Sequence, residues 1–415
     1  MEQCYVIPGP FLPYNDTITQ LIYKQLRCLP FEYQVMSLKG PTVDESLKKV
    51  LDQDPMFKKF TIHEVDDYNN VLFSIKNVDL FKGLRHMDRY VQTCIDSYDN
   101  QKYVYTNSFP CYTIRVGKAL KEKNPSITWI ASFSDPINHS PYKFDEETYK
   151  QYMLVEKVCF NLYCKYYVVD EDERDAFEHA DVLVFICKEQ RDFMIEQYMK
   201  YFGNIKEEDI RKKCVIVPLN YIEEWNQLVP LNVNTPKDTF VLSHFGRVYG
   251  LRLVEEFIEA VYLFKQKHKD INLMIEQYGE FRKSDKKLIK QLHLDSCFKI
   301  NNKISYDACI KKMQESNAVL LFDTIVEDDM IQPYLPSKIL EYSLLEKDTL
   351  GITVRKSPSY RIMKDSDAIV CTYDRYDILK GLEELIINKR PSKIKYAIKN
   401  EDAVKDLKNV LNNDE

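Results

Sequence analysis

Short apolar runs alternate with amphipathic stretches of helical period along the whole of this 415-residue chain, and that rhythm constrains its fold more than any other feature. In the first half, CYVIP (4–8), YQVMSL (33–38), VLFSI (71–75), YVYTN (103–107), ITWIASF (127–133), DVLVFIC (181–187) and CVIVP (214–218) read as strands. Between them, TITQLIYKQLRCL (17–29), RHMDRYVQTCIDSY (85–98) and YTIRVGKALKEK (112–123) repeat apolar residues at helical spacing. A polar stretch, NYIEEWNQLVPLNVNTPKD (220–238), interrupts the pattern. It resumes at TFVLSHF (239–245) and continues through INLMIEQ (271–277), AVLLFD (318–323), TLGITV (349–354) and AIVCTY (368–373). A β-α-β-α alternation packs as a parallel sheet with helices on both faces. The expected fold is α/β, with two doubly wound, Rossmann-like domains facing across a cleft. Their expected spans are 1–220 and 239–390, with a linker at 221–238 and a C-terminal helix in 391–415 packing back on the first domain.

Composition excludes several alternatives. Ten glycines are too few for propellers, β-helices or collagen-like arrays, so each one marks a candidate tight turn or close approach. The net charge is −6, and neither half carries the basic excess that binding to a phosphate backbone requires, so no nucleic-acid partner is expected. Eleven cysteines include no C-x-x-C pair, and several lie in apolar runs, which reads as reduced core cysteine in a cytoplasmic protein. The first residues, MEQCYVIPGPFLPYND, have no charged and apolar leader pattern, and no run approaches the ~18 apolar residues of a membrane span. The acidic runs DEDERD (170–175), DD (66–67) and EDD (327–329) read as solvated carboxylates, with no metal site expected.

In doubly wound sheets, ligands bind beyond the carboxyl ends of the strands, against helix N-termini. The segment LPSKILEYSLLEKDTLGITV (335–354) has the chemistry for this. Pro336 suits a first helical turn and Ser337 suits an N-cap. The helix N-terminus and the Lys338 ammonium together suit a diphosphate, and Glu341, one turn on, could accept from both hydroxyls of a ribose. The alternative reading of the same residues is an ordinary capped helix. In the first half, Asp135 follows ITWIASF and precedes Pro136, which places a carboxylate at a strand end where it could orient or deprotonate a hydroxyl. An Asp-Pro turn explains it as well. Ser134 and His139 are weaker candidates, and Gly9 could let backbone approach a sugar or phosphate.

P-S-K-x-x-E-Y followed by a short strand resembles the donor-binding segment of bacterial family-four glycosyltransferases of the GT-B fold. SHFGRVYGLRLVEEFIEA (243–260) resembles that family's first strand-loop-helix of the donor domain, with Gly246 in the turn and Arg247 or Arg252 as the pyrophosphate cation. KINNKISYDACIKKMQESNAVLLFD (299–323) resembles the stretch that contacts the nucleobase, near Lys303 and Ile304. TNSFPCYTIRVGKALKEKNPSITWIASFSDP (106–136) resembles the acceptor-domain segment that ends in Asp-Pro. The resemblance implies a nucleotide-diphosphate sugar as donor, bound by Gly9, Gly246, Arg247, Arg252, Lys303, Ile304, Pro336, Ser337, Lys338, Ile339 and Glu341. It implies catalysis by Asp135, Arg247, Arg252 and Lys338, retention of anomeric configuration, and no cofactor or metal because the cations replace one. The implied acceptor is a glycan or a lipid-linked group in surface polysaccharide synthesis, at the inner face of the plasma membrane. LIKQLHLDSCFK and DILKGLEELIINKRPSKIKYAIK are mildly basic stretches that could touch such a surface.

The match departs at one place. The family carries a second glutamate eight residues before the ribose-binding one, where this chain has Pro333. Asp328, Asp329 and Gln332 are the candidates to replace it. That departure keeps two other classes open, an inactive glycosyltransferase-like partner subunit and a sugar-nucleotide epimerase of the same fold.

Overall fold

The computed structural model describes residues 2–14, 16–40, 43–67, 80–136, 154–166, 169–225, 238–248, 251–326 and 330–412. The expected strand 71–75, most of the expected linker, His139, Asp328, Asp329 and Gly250 lie outside the described residues. Two compact units result, one formed by Met1–Trp225 with Ile398–Glu415, the other by Asn226–Ala397.

The first unit is built on a seven-stranded sheet in the order β3-β2-β1-β4-β5-β6-β7. Its strands are β1 (Glu2–Pro10), β2 (Phe31–Lys39), β3 (Phe60–Asp67), β4 (Tyr103–Asn107), β5 (Thr128–Ser132), β6 (Val182–Phe185) and β7 (Cys214–Ile216). All pair in parallel. β4 and β6 are buried along their whole length, as their unbroken apolar runs require of strands covered on both faces. β3 (FTIHEVDD) was not foreseen, because its one apolar alternation is submerged in polar residues, as suits a sheet edge.

The chain beyond Ile398 packs into this unit, with Ala403, Val404, Leu407 and Leu411 in one core with β1, β2, β4 and β6. Buried Arg27 fixes its start. Arg27 Nε and Nη2 meet the two Asp54 oxygens at 2.9 and 3.2 Å, and Nη1 reaches Glu401 at 3.4 Å. Asp54 also accepts from Tyr23 (2.8 Å), Trp225 Nε1 (2.9 Å) and the Met56 N–H (3.0 Å). Burial alone would raise the Asp54 carboxyl, yet the Arg27 and Tyr23 bonds hold it below the usual range. Asn400 completes the seam by donating to Lys24 O (2.5 Å) and Asn220 Oδ1 (2.9 Å).

Two carboxylate runs differ from expectation. DEDERD does begin a helix, Asp170–His179, but Asp172 and Glu173 are buried, and Asp172 accepts from Arg115 Nε and Nη2, each at 2.9 Å. Asp66 is no solvated loop residue either. It is the penultimate residue of β3 and accepts from His86 Nδ1 at 2.7 Å.

The second unit carries a six-stranded parallel sheet in the order β10-β9-β8-β11-β12-β13. Its strands are β8 (Phe240–Phe245), β9 (Leu273–Tyr278), β10 (Phe298–Asn301), β11 (Ala318–Phe322), β12 (Thr349–Ile352) and β13 (Ile369–Cys371). Alternate residues of β11 feed separate cores on its two faces, Leu320 and Phe322 into one, Val319 and Leu321 into the other. No described helix is long and apolar enough to cross a membrane.

Candidate functional site

In each sheet the strand order reverses beside the first strand, between β1 and β4 and between β8 and β11. Connections leave in opposite directions there, so the carboxyl ends of those strands open a crevice.

At the end of β8 the chain turns through Gly246, whose φ of +137° is a conformation only glycine adopts without strain. Its N–H donates to Tyr278 O at 2.9 Å, which ties the turn to the end of β9. There Gly279, at φ +129°, comes so close that a Cβ on it would lie 2.6 Å from Gly246 O. Side-chain space above Gly246 is taken by Lys338, since a Cβ on Gly246 would stand 3.0 Å from the Lys338 Nζ. Lys338 is half-buried, and among the described residues no carboxylate lies within ion-pair distance of it. Burial and then the nearby Arg252 lower its pKa, with Glu341 opposing them. Arg252 Nη1 donates to Arg247 O at 3.2 Å, which folds the 251–252 loop onto the turn.

Lys338 opens a helix of seven residues, Lys338–Leu344. Ser337 was expected as its N-cap, but it is already helical in φ and ψ and its side chain makes no cap bond. The turn starts earlier, with Pro336 O accepting from the Ile339 N–H at 3.1 Å. Ile339 is buried and anchors the helix in the core. With so short a helix, the Lys338 charge outweighs the dipole. Glu341 lies one turn on. Exposed Lys303 and half-buried Ile304 follow the carboxyl end of β10, on the same end of the sheet. The structure thus brings Gly246, Arg247, Arg252, Lys303, Ile304, Pro336, Lys338 and Glu341 to one end of the second sheet.

Three residues of this crevice were missed. His244 and Gln277 are buried register partners on β8 and β9, joined at 2.8 Å. The only sequence signal was polar residues inside apolar strands. Asp323 directly follows β11, fully buried, and accepts from the Ser357 and Ser359 hydroxyls at 2.6 Å each. Burial, offset by those serines, still pushes its carboxyl up to about 6. Gln332 is also buried. Its Oε1 accepts from the Tyr334 N–H (2.7 Å), and among the described residues its Nε2 has no hydrogen-bond partner.

On the first unit, Gly9 and Asp135 lie at the corresponding strand ends. A Cβ on Gly9 would stand 2.4 Å from the Pro110 ring, so close packing of the 109–110 loop accounts for that glycine. Asp135 is reached by solvent, yet desolvation by the surrounding protein pushes its carboxyl up to about 7. Its loop is held firmly. Asn107 Oδ1 accepts from Ser134 Oγ (2.8 Å), Ser108 Oγ donates to Asp135 O (3.3 Å), and Gln190 Nε2 donates to Phe133 O and Ser134 O (both 3.1 Å).

Solved structures similar to the whole chain include sucrose-phosphate synthase from Thermosynechococcus elongatus, with TM-score 0.62 and 9% identity over 100% of this chain and 99% of that one. Anabaena HepE in complex with UDP-glucose matches with TM-score 0.61 and 11% identity over 100% of both chains. The lipopolysaccharide outer core galactosyltransferase WaaB matches with TM-score 0.58 and 11% identity, again over 100% of both. No protein-family model and no curated protein matches the sequence. At such identities the likeness establishes architecture: the chain has the GT-B glycosyltransferase fold.

Proposed function

We propose that this chain is a glycosyltransferase of the family-four type, moving a sugar from a nucleotide diphosphate to a glycan or lipid-linked acceptor with retention of configuration. The observation that carries the reading is the Lys338 ammonium, unpaired with any described carboxylate, above the Gly246 turn at the switch point of the second sheet. An ammonium in that setting, with Arg252 beside it, is matched to a diphosphate. As the bond from the anomeric carbon to the leaving oxygen breaks, negative charge grows on the phosphates. Lys338, Arg252 and Arg247 stabilise that charge and stand in for a divalent ion. Glu341 is assigned to the ribose hydroxyls, Lys303 and Ile304 to the base, and Asp135 to the acceptor hydroxyl. HepE was solved with UDP and with UDP-glucose, which supports testing uridine nucleotides first. The setting that fits is cytoplasmic, with a lipid-linked acceptor met at the membrane face.

Thermal-shift titration with UDP, GDP and ADP, followed by assays of slow hydrolysis of the matching nucleotide sugars, tests the reading. Lys338→Ala should weaken the bound nucleotide roughly ten- to a hundredfold, the worth of a charge-assisted hydrogen bond. EDTA should leave turnover unchanged. A second reading, a partner subunit without turnover, is favoured by Pro333 at the place of the family's first glutamate and by the use of Gln332 Oε1 within its own loop. Binding to none of the nucleotides, with Lys338→Ala thermally silent, would put that reading ahead.

A further inference from the structure

β8 is a central strand covered on both faces, so polar side chains within it are costly unless each finds a partner. Ser243 is satisfied by the Ser316 hydroxyl at 2.7 Å. His244 and Gln277 satisfy one another and reach further. Gln277 Nε2 donates to Gly246 O at 2.7 Å. A carbonyl oxygen only accepts, so this bond fixes the amide with Oε1 toward His244. The ring nitrogen 2.8 Å away, Nδ1, must therefore carry the proton. The imidazole packs edge-to-face on Phe322, with centroids 4.9 Å apart, and its Cε1 would lie 3.9 Å from a Cβ on Gly246. Burial, then Lys338 and Arg252, keep it neutral near pH 7, with its pKa lowered to about 3.

We infer that His244 is a positioning residue for the phosphate-binding turn, acting through Gln277 to hold the Gly246 carbonyl on the β9 side. The inference rests on reading that turn as the donor site. Glycine at positive φ has access to alternative peptide orientations. A carbonyl swung toward Lys338 would accept from the ammonium and present a partial negative charge to an incoming diphosphate. Between the Gln277 amide and the Gly279 backbone, the carbonyl is enclosed instead, and the space above the turn stays with Lys338. The oxygen of the Gln277 amide faces His244 because the His244 N–H is there to donate to it.

The test measures binding of inorganic pyrophosphate and of UDP, GDP and ADP to the whole chain by calorimetry, beside unliganded melting curves. His244→Leu and Gln277→Leu should each weaken binding about tenfold, the cost of leaving one buried partner unmade. The double variant should be no weaker than either single one, because both break one chain of bonds. His244→Asn, whose Nδ2 can take the place of Nδ1, should bind within about twofold of the parent chain. A merely structural histidine would lower the melting temperature and leave affinity alone, and that result overturns the inference. So do additive losses of about a hundredfold in the double variant, or a His244→Asn as weak as His244→Leu. Should His244→Leu fail to fold, Gln277→Leu and His244→Asn decide by the same criteria. Loss of binding in Lys338→Ala with parental affinity in His244→Leu overturns the relay and leaves the donor-site reading standing. A parent chain that binds neither pyrophosphate nor any of the nucleotides overturns both.

Discussion

Asp135 and Asp323 show how one residue type at one kind of position takes on different chemistry. Each follows an apolar strand, and in each desolvation raises the carboxyl, to about 7 and about 6 respectively. Asp135 is exposed to solvent, so it can exchange its proton with a ligand or water. If it deprotonates the acceptor hydroxyl, only its ionised form works. Transfer should fall about tenfold per pH unit below 7 and level off above it, and Asp135→Asn should lose on the order of a hundredfold or more. A rate independent of pH between 5.5 and 8 would remove Asp135 from that role. Asp323 is enclosed by Ser357 and Ser359 and speaks through stability instead. Its folded pKa lies above its unfolded value, so the fold holds a proton that the unfolded chain has released between about pH 4 and 6. Its contribution to stability therefore declines as pH rises through that window and is flat above it. Asp323→Asn should flatten that part of the melting-temperature profile, and an unchanged profile would show that the carboxyl titrates normally. Asp135 was legible in the sequence because a proline follows it at a strand end. Asp323 was not, because AVLLFD gives no sign of the serines at the start of the helix Pro358–Asp365 that close over it.

At the level of elements, periodicity located nearly every strand, and it failed where an element's environment departs from the usual one. β3 lies at an edge and has little apolar pattern to read. DEDERD reads as solvent-facing, yet Asp172 turns inward to Arg115 on the facing helix, Tyr112–Lys123, and Glu173 is buried next to it in sequence. Gly117 in that same helix is a packing position. A Cβ there would stand 2.3 Å from the ring of Trp129, which is fully buried and held through Nε1 to Thr106 Oγ1 at 3.0 Å. Alanine in a helix interior is favoured over glycine by roughly 0.5–1 kcal/mol. Forcing a methyl group into a packed aromatic costs about 1–3 kcal/mol. The clash wins, so Gly117→Ala should lower the melting temperature by several degrees while leaving nucleotide affinity unchanged. A stabilised variant would mean that Trp129 has room to move.

For the molecule as a whole, the division into units is not the division of the sequence. The second unit is continuous in the chain, Asn226–Ala397, and holds its own cores on both faces of its sheet. The first is completed only by residues from the far end, beginning at Ile398. Ala403, Val404, Leu407 and Leu411, each at most 5% exposed, carry the apolar part of the attachment, with half-buried Ile398 packed against the same core. Removing a buried leucine alone costs about 2–5 kcal/mol, and a whole domain is stable by only about 5–15 kcal/mol. Loss of the segment would also strip Arg27 of Glu401, and Asn220 and Lys24 of Asn400. A chain ending at residue 397 should therefore lose the cooperative melting of its first unit, while its second unit melts as before and still binds pyrophosphate. Residues 238–397 alone should fold and bind, and residues 1–225 alone should not fold. If the chain ending at 397 melts as the full chain does, the far segment is an ornament on the first sheet and not part of its core.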